Sequence, residues 1–166
     1  MLAIPKVTFL MAMMAICGRG GVDAVARESN TSGSVVKLHK GQIRLPDGYK
    51  HEQLQGFDSV PGQIVKKGGL QIRYDIGAIP RPGGLRLGGQ FTDHAKNLPK
   101  GQRQWYKEQT VAKQPVHMAL SKDDVLRVAF PLSGINFHTK VKSKKEIDEA
   151  LAIILTYRGS APTKKK

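Results

Sequence analysis

Strict alternation of apolar and polar residues over several successive stretches constrains this chain more than any other feature. Leu70, Ile72, Tyr74 and Ile76 take one phase, and Gln71, Arg73 and Asp75 take the other. Period-two alternation bounded by glycines marks a half-buried strand. Gln63-Ile64-Val65 precedes it, and Lys66-Lys67-Gly68-Gly69 supplies a glycine-containing loop, so the pair reads as a β-hairpin. The same period returns in Val116/Met118/Leu120, Leu126/Val128/Phe130 and Ile135/Phe137/Thr139/Val141. Turn-forming stretches separate these runs, and three strands joined in that way make an antiparallel meander. Shorter strand signals occur at Val35–Leu38 and Ile43–Leu45, the second stopped by Pro46-Asp47-Gly48.

One helix stands out against this background. Ser143 and Glu146 have the spacing of a capping box. Ile147, Ala150, Leu151 and Ile154 then follow the i, i+3, i+4, i+7 rhythm of one apolar face. Asp148 and Glu149 sit early and Arg158 late, as the helix dipole favours. With Gly159 as a C′ residue, the pattern predicts a helix from about Lys144 to Arg158. The expected fold is α+β: an antiparallel sheet of roughly five to seven strands, with this C-terminal helix packed on one face. The other face is expected to be partly open.

The N-terminus is set aside from the fold. Lys6 precedes an apolar run from Val7 to Cys17, followed by Ala24-Val25-Ala26. A positive start, a short apolar segment and an A-x-A site describe a secretory signal peptide over residues 1–26. The run is too short to span a bilayer, which takes about 20 apolar residues. The expected location is therefore secreted or periplasmic. The alternative is lipid anchoring through Cys17, which directly follows the apolar run. Residues 27–34 read as a flexible leader, 35–159 as a single α+β domain, and 160–166 as a disordered basic tail ending in three lysines.

Cys17 is the sole cysteine, so the chain beyond the signal segment holds none. That excludes a disulfide framework, a thiol nucleophile and a cysteine metal site there. Other catalytic signatures are missing too. No G-x-S-x-G elbow, Walker-type phosphate loop, G-x-G-x-x-G turn or H-E-x-x-H pair occurs. The histidines at 39, 51, 94, 117 and 138 never fall two or four residues apart, so they read as exposed side chains rather than metal ligands. No metal and no cofactor is expected.

Charge gives the positive indication. The net charge is +14, and the signal segment contributes little of it. Such an excess favours anionic partners: acidic polysaccharide, an anionic membrane surface or an acidic protein. Nucleic acid is argued against by export. Two groups of residues are the candidate ligand-binding positions. Lys100, Arg103, Trp105 and Lys107 mix cations with an aromatic ring, a combination suited to stacking plus anion contact. Arg73 and Asp75 share one strand face, although mutual or cross-strand charge pairing would explain them without a ligand. Arg127, His138, Lys140 and Lys142 form a further basic strip in the polar phase of the meander.

The function expected is that of an exported, non-enzymatic binding or structural module contacting acidic ligands or surfaces. The alternative is a small extracytoplasmic enzyme, hydrolase-like, with its site at the glycine-rich loops Gly56–Gly62 and Ala78–Gly89. Nine of the 18 glycines lie between Gly56 and Gly89.

Overall fold

A computed structural model describes residues 33–57, 59–77 and 91–159. The expected signal segment with Cys17, residues 27–32 of the leader, the stretch Ala78–Gly89 and the tail 160–166 lie outside the described residues. The architecture is α+β. Among the described residues nine strands run in chain order as β1 (Gly33–Leu38), β2 (Gly41–Pro46), β3 (Tyr49–Gln53), β4 (Val60–Lys66), β5 (Gln71–Ile76), β6 (Arg103–Val111), β7 (Gln114–Ser121), β8 (Val125–Phe130) and β9 (Ile135–Lys140). A short 3-10 turn, Lys100–Gln102, precedes β6, and the helix α1 spans Lys144–Ile154.

β1 and β2 form a separate hairpin; the other seven strands make one sheet in the order β3-β4-β5-β9-β8-β7-β6. Every pairing is antiparallel. The sheet is two meanders, β3-β4-β5 and β6-β7-β8-β9, joined where β5 pairs with β9. Apolar alternation decides which face closes. Ile64, Ile72, Tyr74, Val116, Met118, Leu126, Val128 and Phe137 all turn to one side, where they share a core with Ile43 and Leu45 of β2 and Ala150, Ile153 and Ile154 of α1. One face is therefore covered by the helix and the small hairpin together.

That double cover widens the buried stripe of α1. Ile153 is buried along with Ala150 and Ile154, whereas Ile147 and Leu151 are only partly buried. The cap forms, with Ser143 Oγ accepting from Glu146 N at 3.3 Å. Glu146 reaches back one residue further than a standard box, accepting from Lys142 N at 2.6 Å. The helix ends four residues before the expected Arg158. Arg158 pairs instead with Gln42 of β2, through N–H···O bonds of 2.8 and 2.9 Å. A backbone that must turn to extend a strand cannot remain helical. Gly41, at φ +117°, permits this approach, because a Cβ there would lie 2.2 Å from Arg158 O.

The hairpin joining β6 and β7 turns on Ala112 and Lys113, both in the left-handed region at φ 49° and 64°. Neither is a residue that favours it. Replacing Lys113 with Gly is expected to raise stability by about 1 kcal/mol, since the native φ strains a side-chain-bearing residue. Chemical denaturation checks this; an unchanged midpoint would show that the strain is already relieved.

Candidate functional site

The site lies on the sheet face opposite α1, and its geometry follows from strand register. Arg73 of β5 is directly opposite His138 of β9, and His138 is directly opposite Arg127 of β8. Three basic side chains thus stand side by side on adjacent strands, with one inter-strand spacing of about 4.8 Å between neighbours. Beyond Arg127 the row continues to Ala119 of β7 and Tyr106 of β6. On its other side it runs to Gln63 and Glu52. Asp75 lies in the next row, opposite Asn136.

A strap over residues 91–99 crosses this face at one end. The reason is small side chains: Ala119 and Ala129 are fully buried beneath Ala95 and Leu98, with Phe91 and Tyr106 packed alongside. Two polar anchors fix it. Asn136 Nδ2 donates to Thr92 O at 2.8 Å, and Asn136 Oδ1 accepts from His94 N at 3.2 Å. Asp93 Oδ1 accepts from the amides of Ala95 and Lys96, while its Oδ2 meets His117 Nδ1 at 2.5 Å. The second nitrogen of His117 faces Glu108 at 3.9 Å. His117 is therefore held between two carboxylates, and only 12% of its side chain is exposed. The expectation of freely exposed histidines fails here, because Asp93 comes from 24 residues upstream and only the strap delivers it.

The strap leaves a shallow pocket of about 350 Å³ beside it, lined by Leu98, Gly101, Gln102, Lys122, Asp123 and Arg127. Arg127 belongs both to this pocket and to the cationic row. Its Nε is buried and has no hydrogen-bond partner, and the same holds for Asp75 Oδ1; these are the two such side-chain atoms among the described residues. Buried polar atoms without partners are uncommon and costly. The charge pairing that would account for Arg73 and Asp75 is not found: no ion pair among the described residues involves either one.

The electrostatics match this crowding. The pKa of His138 is pushed below its ordinary value, first by burial, then by Arg127, Arg73 and His94, with Asp75 opposing. Lys140 is its neighbour along β9 on the same face. His51, stacked on Tyr74, is also lowered, chiefly by burial, with Glu52 opposing. A depressed histidine contributes stability that is fully present above about pH 6.5 and is lost as pH falls through its folded value. The melting temperature is thus expected to drop as pH falls below about 6.5, and His138→Gln should flatten that decline. A profile unchanged by His138→Gln would place the pH sensitivity elsewhere.

The other sequence candidates go to different places. Lys100 is exposed in the 3-10 turn that borders the pocket. Arg103 folds back onto the strap, donating to Leu98 O at 2.6 Å and to Lys96 O at 2.5 Å, with its guanidinium 4.5 Å from the Tyr106 ring centre. Trp105 pairs with Leu120 and packs against the main core, and Lys107, opposite Met118, is exposed on that same side of the sheet. A register shift between Arg103 and Trp105 leaves Arg103 on the strap side while Trp105 and Lys107 take the core side, so Lys100, Arg103, Trp105 and Lys107 do not form one surface. His94 is exposed, as expected, but the pairing of Asp93 with His117 was missed. The signal that could have found it is the pair Ala119 and Ala129, small residues in the polar phase of the meander, which mark a segment packed over that face.

A second groove of about 390 Å³ lies between Lys37–Gln42 and Arg158–Gly159. Its arginine is engaged by backbone, with Arg158 Nη1 donating to Leu155 O and Tyr157 O at 2.9 and 3.0 Å. Of the glycines expected to frame a site, Gly62 has a core explanation, since a Cβ there would come within 2.3 Å of the Tyr74 ring. Among the described residues no serine or threonine hydroxyl is bonded to a histidine, and no cluster of three or more metal-ligating side chains occurs. In comparisons with known proteins, no family model matches the chain, and no curated protein or solved structure matches it.

Proposed function

We propose that this protein is an exported, non-enzymatic binding module that takes anionic ligands on the open face of its sheet. The observation that carries the reading is the lateral row Arg73–His138–Arg127, with no ion pair among the described residues to neutralise it. Arg73 and Arg127, two strands apart across His138 with no ion-pair partner among the described residues, repel one another. An anion placed across them converts that repulsion into charge-assisted hydrogen bonds, the strong kind in proteins. The +14 net charge adds a long-range attraction for the same ligands. Export rests on the sequence of residues 1–26.

The reading is tested with the full chain and a simple polyanion such as dextran sulfate. Binding is expected at low salt, falling roughly tenfold as NaCl rises from about 50 to about 200 mM. Affinity indifferent to salt, or uptake of the neutral parent dextran with equal strength, would reject it.

A further inference from the structure

Resting on that reading, we infer that the anionic ligand is an acidic glycan, a linear sugar chain carrying carboxylates, laid across strands β5, β9 and β8. Two side-chain atoms on this face lack a hydrogen-bond partner. Arg127 Nε is a buried donor without an acceptor, and Asp75 Oδ1 is a buried acceptor without a donor. They sit on the same sheet face, Arg127 beside His138 and Asp75 beside Asn136, and so are two strands and one row apart. A simple anion could meet the need of Arg127 but would be repelled by Asp75. A ligand that satisfies both must present an acceptor with negative charge and, two strands and one row away, a hydroxyl that donates. A chain of uronic acid residues carries both, carboxylates and hydroxyls on successive rings along its length.

Spacing and shape favour a chain over a surface. Arg73 and Arg127 are two inter-strand steps apart, about 10 Å. One such step is close to the length of a sugar residue, so a chain running across the strands sets the carboxylates of alternate residues near Arg73 and Arg127, with His138 between them. The positive ground is narrow. Glu52 stands at one end of the row, Glu108 lies on the far edge strand, and the strap 91–99 rises over Ala119 and Ala129 beside it. A flat bilayer cannot reach past that wall, and the flanking carboxylates oppose a broad anionic surface. The pocket of about 350 Å³ next to Arg127, with Lys122 in its lining, has room for a sugar ring at the end of the row.

The test uses the full chain and isothermal calorimetry at low salt, with galacturonate, oligogalacturonates of increasing length, the uncharged methyl-esterified oligomers, inorganic phosphate, and phosphatidylglycerol vesicles. Oligogalacturonate binding is expected to strengthen with length until the row is spanned, and the esterified oligomers should bind at least roughly tenfold more weakly. Asp75→Ala decides between the inference and the broader reading. Removal of a negative charge should tighten phosphate binding, whereas loss of the hydroxyl's acceptor should weaken oligogalacturonate binding, by roughly tenfold. Oligogalacturonate binding that Asp75→Ala leaves unchanged or strengthens would overturn the glycan assignment. If it nevertheless fell with Arg127→Gln, the anion site would stand. Vesicle binding that depends on Arg127 and resists competition by oligogalacturonate would overturn the assignment in favour of a lipid surface. If neither phosphate nor oligogalacturonate binding responded to Arg127→Gln, the anion site itself would fail. Melting temperatures of each variant confirm that it is folded.

Discussion

Truncation of Tyr157 to Ala is expected to destabilise the protein by about 3–5 kcal/mol, the range for removing a fully buried aromatic ring. Tyr157 is 1% exposed and joins three parts of the fold. Its ring meets Phe130 edge-on at 4.9 Å and Phe137 at 5.7 Å, both on the covered face of the sheet. Its hydroxyl donates to Lys40 O in the β1–β2 turn, and its amide bonds Ile154 O at the end of α1. It immediately precedes Arg158, which pairs with Gln42. The truncated variant therefore loses aromatic packing, leaves a cavity and frees the carbonyl of Lys40. Tyr157→Phe keeps the ring and should cost only about 1 kcal/mol. Denaturant unfolding of the two variants measures both; a loss below about 1 kcal/mol for the alanine variant would mean that the small hairpin and helix are not docked through this residue.

The second large effect is on binding. Replacing Arg73 and Arg127 together with Gln is expected to lower affinity for a polyanion by roughly 100-fold or more, because two charge-assisted contacts are lost at once. Stability should not fall, and should rise by a few tenths of a kcal/mol, since the repulsion between two arginines about 10 Å apart is relieved. This opposite movement of affinity and stability is what separates a binding row from a structural one. A control pair, Lys107→Gln with Lys100→Gln, removes the same charge from positions outside the row and should reduce affinity only by the long-range share, roughly tenfold or less. Equal losses in the two double variants would mean that net charge, not the row, holds the ligand.

Much of the fold was legible in the residues. Alternation in the segments around Tyr74, Met118, Val128 and Phe137 named both the strands and their buried faces, because a one-residue error would have placed every apolar side chain in water. The Ser143 cap located the helix start to the residue. The helix end was not legible: the 3.6 rhythm runs on past Ile154, and what stops it is a β-bridge to Gln42, more than a hundred residues away in sequence. The burial of Ile153 was hidden for a similar reason, since α1 shares its core with β2 as well as with the large sheet, and neither is written in the helix's own sequence.

The candidate site divides along the same line. By itself the sequence determined that Arg73 and Asp75 share one strand face, and that Arg127 and His138 lie in the polar phase of theirs; a side-chain period of two is local and needs no partner. It could not say that these faces are one face. That was decided by the antiparallel pairing of β5 with β9, which closes a gap of more than fifty residues and sets Arg73 against His138. Strand partners are chosen by the burial of Tyr74, Phe137 and Phe130 together, a property of the assembled core rather than of any segment. The cationic row is the other side of that choice: once the aromatic residues are brought into register beneath the sheet, Arg73, His138 and Arg127 must line up above it.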